Sequence, residues 1–154
     1  MLQEVVASSF TEWALAAEPR LRHALTAAFG SQVGVDATAE ALSLAWERWD
    51  QLKERDDPLG YVFGIGRNVA RRSTKQRPPA LMAVPADRLP DVEPGLPEAI
   101  ARLSEQQRTV VGLLYGYEWT MSEVAELLGI AKTSVQNHAE RALAQLRETL
   151  GVNR

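Results

Sequence analysis

The sequence predicts an all-α protein built as two small helical domains joined by a proline-rich linker. Three observations predict it. Apolar residues recur at three- and four-residue steps along most of the chain, the repeat of one helix face. Five of the eight prolines crowd into residues 76–95, and no helix survives proline at that spacing. The chain therefore divides into a first domain at 1–75 and a second at 96–154, with a semi-extended linker between them. Near the C-terminus, two short helical stripes meet at Gly129, the outline of a helix-turn-helix.

Composition narrows the function classes. The 154 residues are 45% hydrophobic, enough for packed cores and too apolar for a disordered chain. Cysteine is absent and His23 and His138 stand far apart, so no disulfide, metal site or other cofactor is expected. The net charge is −3, whereas a protein that coats nucleic acid is basic. Any DNA binding must then be local, or lean on a larger partner for phosphate contacts. The opening MLQEVVASSFTEW has neither a basic nor an apolar signal region. No apolar run approaches the roughly 20 residues of a membrane span, so the expected place is the cytoplasm, without membrane insertion. No nucleophile–base pair or phosphate-cradling loop is evident, and an enzyme is the least expected class.

The first helix is expected over residues 3–29, interrupted near Pro19. Phe10, Trp13, Ala14, Ala17, Leu21, Ala24, Leu25 and Ala28 supply its apolar face, and Gly30 stops it. A second helix is expected over 36–52, where Ala39, Leu42, Trp46 and Trp49 recur at helical steps and both tryptophans read as core. A charged loop from Leu52 to Asp57 ends at Pro58. A third helix follows over 59–75, striped by Tyr61, Val62, Ile65, Val69 and Ala70. From Tyr61 to Arg77 there are five basic residues, Arg67, Arg71, Arg72, Lys75 and Arg77, and no acidic one. The helix dipole accounts for one or two cations at a C-terminus. Five in an acidic chain mark a nucleic-acid face.

The second domain opens at Leu96-Pro97, proline in a first helical turn. Ser104 through Gln107 reads as a capping box ahead of Val110, Val111, Leu113 and Leu114. Thr120 and Glu123 form another. Met121, Val124, Ala125 and Leu128 then stripe a short helix that Gly129 ends. The last helix buries Val135, Ala139, Ala142, Leu143, Leu146 and Leu150. Its exposed start carries Lys132, Thr133, Ser134, Gln136 and Asn137, compact donors and acceptors suited to base edges and phosphates. Any helical hairpin shows such stripes, so geometry alone leaves DNA binding at even odds.

The order of parts resembles a group IV sigma factor of bacterial RNA polymerase, the extracytoplasmic-function type that keeps only regions 2 and 4. Leu103, Ser104, Gln107 and Arg108, then Glu123, Val124, Ala125, Leu128 and Gly129, match the region 4 hallmarks Leu-Ser-x-x-Gln-Arg and Glu-Val-Ala-x-x-Leu-Gly. Pro58, Tyr61, Val62, Ile65, Gly66, Arg67 and Asn68 resemble region 2's Pro-x-x-Trp-Leu-x-x-Ile-Ala-Arg-Asn. The resemblance implies a transcription initiation factor whose partners are core RNA polymerase, promoter DNA and, in some members, an anti-sigma factor. It puts the −35 element against Lys132, Thr133, Ser134, Gln136, Asn137 and Arg141. It puts single-stranded −10 bases against Tyr61, Arg67, Asn68, Arg71 and Arg72, beside the Leu52–Pro58 loop. Polymerase docking falls to Asp36, Glu40 and Glu47. There the chain departs from the family: the acidic Asp-Ala-Glu-Asp-Leu-Val-Gln-Glu becomes Asp36-Ala37-Thr38-Ala39-Glu40-Ala41-Leu42-Ser43. That departure keeps two rivals open, a stand-alone helix-turn-helix regulator and an interaction module that no longer binds polymerase.

Overall fold

The computed structural model describes residues 2–76 and 95–151. Among them the secondary structure is helical throughout, eight α-helices and one π-helical turn. All but the two ends of the proline-rich stretch 76–95 lies outside the described residues.

Helix α1 runs unbroken over Leu2–Phe29, straight through Pro19. The expected interruption does not occur. An interior proline costs about 3 kcal/mol in a lost hydrogen bond and a clash with the preceding turn. Ala17, Leu21, Ala24, Leu25, Ala28 and Phe29 are buried along one face of the same helix. Each large side chain among them stabilises the fold by roughly 1.5–3 kcal/mol, enough together to hold the helix through the proline.

The chain reverses at Gly30, whose φ of 89° and ψ of 164° suit only glycine. Helix α2 begins at once, Ser31–Glu47, five residues ahead of its expected start. Its buried face is Gly34, Ala37, Thr38, Ala41 and Ala45, a stripe of small residues. A Cβ on Gly34 would lie 2.6 Å from the Thr26 backbone, so glycine lets α1 and α2 touch. The expected stripe was out of phase: Ala39 is exposed and Trp46 is 46% exposed. Arg48 leaves helical geometry, and the short α3, Trp49–Leu52, starts from a new rotation. That break turns Trp49 inward to 4% exposure while Trp46 stays at the surface. Phe10 and Trp13 of α1 close over Trp49, with ring centroids 5.4 and 5.2 Å away.

Asp57 caps helix α4, Pro58–Gln76, by accepting the Gly60 N–H at 3.0 Å. Val62, Phe63, Gly66 and Ala70 are its most buried residues. Cβ space at Gly66 is already filled by Leu25 of α1, so α4 also lies tightly on the first helix.

The second half begins with α5, Leu96–Ala101, and α6, Glu105–Val111. Ser104 and Gln107 form the expected reciprocal capping box on α6. A π-helical turn, Gly112–Gly116, follows directly. Thr120 and Glu123 form the second expected box, at the start of α7, Met121–Leu128. Gly129 ends α7 at φ 66°, in the left-handed region. Helix α8, Lys132–Leu150, buries Val135, Ala139, Ala142 and Leu146, as its stripe predicted.

One core runs through both halves. Val110, Leu113, Val124, Leu127, Val135 and Ala139 join Leu21, Leu25, Phe63 and the rest of the first half's core. Ala99, Leu103, Ala142 and Leu146 form a smaller cluster under α5. The close approach is at Gly112, where a Cβ would stand 2.5 Å from Ala27 Cβ.

Candidate nucleic-acid interface

Two polar faces emerge from this packing. The first is the start of α8. Its apolar stripe is buried against α6 and α7, so the opposite side has to face solvent. Lys132, Thr133, Gln136, Asn137 and Arg141 are exposed there and Ser134 is half-buried. Ala131 is the N-cap residue and supplies no side-chain bond; the Ser134 N–H donates to the Ala131 carbonyl at 3.0 Å, which leaves the Lys132 and Thr133 N–H groups for phosphate oxygens. The Gln136 amide donates to Glu140 Oε1 at 3.2 Å. Thr133, Asn137 and Arg141 fall opposite the buried stripe, with Lys132, Gln136 and Ser134 on its flanks.

The second face is α4, and here the expected residues part company. Asn68 and Arg72 are exposed. Arg67 lies over the Phe63 ring at 5.3 Å, its Nε buried with no hydrogen-bond partner among the described residues. Tyr61 is half-buried, covered by the Arg55 guanidinium 4.3 Å from the ring centroid. Arg48 Nη1 also donates to its hydroxyl at 3.4 Å. Arg55 belongs to the Leu52–Pro58 loop, so loop and Tyr61 do adjoin. Arg71 turns away to the second half: its Nε and Nη2 donate to the two oxygens of Glu105 at 2.8 and 2.6 Å. That paired hydrogen bond raises the Arg71 pKa above its usual value.

Asp36 and Glu40 are exposed one turn apart on α2. With Arg72 and Ser73 of α4 they line a groove of about 300 Å³. Glu47 is not part of it; it lies seven residues beyond Glu40, about 10 Å further along the helix. Glu47 instead borders a larger groove of about 740 Å³ with Trp46 and Val6.

The seam between the halves brings together groups whose pairing has no signal in the sequence. Arg20 on α1 pairs with Glu123 on α7, and its guanidinium lies 4.8 Å from the Trp119 ring centroid. The Glu123 carboxyl is held below its usual pKa chiefly by the Thr120 backbone N–H of the capping box. His23 stacks on Tyr117 at 4.1 Å and accepts the Trp119 indole N–H at 3.4 Å. Burial first, and then the Arg22 charge, push its pKa down. Arg108 reaches across to the last turn of α1, where Nε donates to the Ala28 carbonyl at 2.7 Å, while Nη1 donates to the Leu103 carbonyl at 2.6 Å. Burial lowers its pKa, yet two carbonyls satisfy the charge. Arg108 belongs to a motif visible in the sequence, but its partner 80 residues away has no local signal.

An all-α chain with an exposed recognition-type helix and a second, basic helix defines a two-part helix-turn-helix protein. Similarity takes this further. A family model described as Sigma-70, region 4 matches residues 95–146. The RNA polymerase sigma-E factor of Streptomyces antibioticus is 30% identical over 126 residues, covering 75% of this chain and 69% of that one. The ECF RNA polymerase sigma factor SigL of Mycobacterium tuberculosis is 29% identical over 150 residues, covering 86% and 85%. The chain belongs to the RNA polymerase sigma factor family, in its extracytoplasmic-function group. A solved structure agrees in fold: the sigma factor RpoE of Bartonella quintana, determined in complex with the anti-sigma factor NepR, superposes with a TM-score of 0.61 at 20% identity. That superposition covers 95% of this chain and 99% of the other.

Proposed function

We propose that the chain is a dissociable promoter-specificity subunit of RNA polymerase and carries no catalytic chemistry of its own. The observation that carries this reading is the pair of polar faces on different halves, one built for a duplex groove and one basic face for a strand. On this reading residues 1–75 act as a region 2-like domain and 96–154 as a region 4-like domain, with 76–95 between them. Lys132, Thr133, Ser134, Gln136, Asn137 and Arg141 hold the −35 duplex in its major groove. Asn68 meets a base edge of the −10 strand, Arg67, Arg71 and Arg72 meet its backbone, and Tyr61 offers a ring to an unstacked base once the Arg55 guanidinium over it moves aside. Asp36, Glu40 and Glu47 supply the acidic side of the polymerase contact. An anti-sigma factor is the natural antagonist of such a subunit. No described helix is long and apolar enough to cross a membrane, which fits work in the cytoplasm on DNA.

Charge balance sets the mechanism. A chain of net −3 makes few phosphate contacts, and few contacts give modest, salt-sensitive affinity. Polymerase therefore has to supply most of the non-specific hold. The test is a fluorescence-anisotropy titration of promoter duplex at near-physiological salt, with and without core enzyme. Weak binding alone and tight, sequence-dependent binding with core enzyme are expected. Nanomolar operator binding by the chain alone, unchanged by polymerase, refutes the reading and establishes a stand-alone regulator. No DNA binding and no response to polymerase establishes an interaction module.

A further inference from the structure

The two halves meet in a fitted seam. Gly112 and Ala27 touch so closely that any side chain at 112 would force them apart. Arg20–Glu123 and the His23–Tyr117 stack hold one side of the seam, and Arg71–Glu105 the other. This arrangement cannot serve both promoter elements at once. By their names the −10 and −35 elements lie about 25 base pairs apart, roughly 85 Å of duplex at about 3.4 Å per step. A compact chain of this length has a radius of gyration of about 15 Å and is roughly 40 Å across. The halves have to part to reach both.

We propose that Arg71 couples the two events: its guanidinium closes the seam on Glu105 or grips the backbone of the melted strand, and cannot do both. The inference rests on the promoter reading above. A guanidinium fork matches a carboxylate or a phosphate bidentately, with the same N–H groups. In the closed seam the Nε and Nη2 edge is fully used, and the Glu105 carboxylate beside it repels a phosphate approaching the remaining Nη1. Glu105 is thus a built-in competitor for the strand. Its own helix does not depend on the pair, because Ser104 and Gln107 cap α6 independently.

The two ends of one ion pair should then respond with opposite signs. The chain lacks cysteine, so single cysteines at the exposed Ser43 and Ala144 can carry spin labels that measure seam opening in the full-length protein. Strand affinity is read in parallel with a fluorescein-labelled, mixed-sequence single-stranded 15-mer. Glu105→Gln should lengthen the label distance and raise strand affinity about twofold to fivefold, the range of a well-aligned exposed ion pair. Arg71→Gln should lengthen the distance equally and lower strand affinity by a similar factor. The double variant Arg71→Glu, Glu105→Arg should close again and bind the strand as poorly as Arg71→Gln. A Glu105→Gln variant that binds the strand no better than wild type overturns the coupling, as does an unchanged label distance. The core-enzyme titration separates the failures: if it fails, the promoter reading falls and takes this with it. If it succeeds while Glu105→Gln gains nothing, only the coupling falls.

Discussion

Three helical glycines give a graded test of how the first half is packed. In a helix interior, Gly→Ala gains about 0.5–1 kcal/mol by restricting the unfolded chain. At Gly64 a Cβ meets nothing within 4 Å, so that gain should appear in full. At Gly66 it meets Leu25 Cδ1 at 2.7 Å, the tip of a buried side chain rather than backbone, so repacking around it should offset most of the gain. At Gly34 it meets Thr26 Cα and N at 2.6 Å, backbone atoms that move only if α1 moves. Overpacking of that kind costs about 1–3 kcal/mol, leaving Gly34→Ala a net loss of up to about 2.5 kcal/mol after the helix gain. For a chain of this size each kcal/mol shifts the midpoint by about 2–4 °C. Urea and thermal unfolding of the three variants should rank them Gly64→Ala, Gly66→Ala, Gly34→Ala from most to least stable. A Gly34→Ala variant as stable as Gly64→Ala refutes the close α1–α2 contact.

Two further outcomes are expected. Gln136→Ala and Asn137→Ala should each lose about 1–3 kcal/mol of discrimination at one base position of the upstream element. Asn68→Ala should impair strand opening with upstream binding intact; run-off transcription and permanganate footprinting read the two effects, and wild-type behaviour in all three variants removes the site assignment. The second outcome concerns His23, which has Arg22 and Glu18 beside it on α1 and Tyr117 and Trp119 across the seam. Its folded pKa lies below 6.5, so the neutral ring is the form the packed state prefers. The stabilisation is complete above about pH 6.5 and is lost as pH falls through the lower folded value. Unfolding midpoints should fall more steeply below pH 6.5 in wild type than in His23→Gln; parallel curves would show that His23 plays no part.

Local signals were legible and distant ones were not. The capping pairs Thr120–Glu123 and Ser104–Gln107, and the turn at Gly129, are written within four residues of where they act. The α8 stripe survives because large aliphatic residues mark it. Helix α2 misled for the opposite reason: its core face is Gly34, Ala37, Thr38, Ala41 and Ala45, whose small side chains give little contrast beside Trp46 and Leu42. Pro19 reads as an interruption because the burial that offsets its cost is tertiary. Periodicity alone puts Thr133, Asn137 and Arg141 opposite the α8 stripe, with Gln136 on its flank, and all four are exposed; the full six-residue set needs the family resemblance as well. Arg71 could be read as basic and on α4, but Glu105 lies 34 residues away beyond the proline-rich stretch, and no periodicity connects them.

Trp119 gives the chain an optical use. The other three tryptophans, Trp13, Trp46 and Trp49, sit together at the base of the first half, around Phe10. Trp119 alone belongs to the second half, and its indole rests on groups of α1, between Arg20 and His23. Parting of the halves strips both neighbours from that one ring and leaves the other cluster undisturbed. With Trp13, Trp46 and Trp49 replaced by phenylalanine, intrinsic emission becomes a label-free signal of separation. Polymerase, promoter DNA or an antagonist could then be titrated against an otherwise unmodified chain.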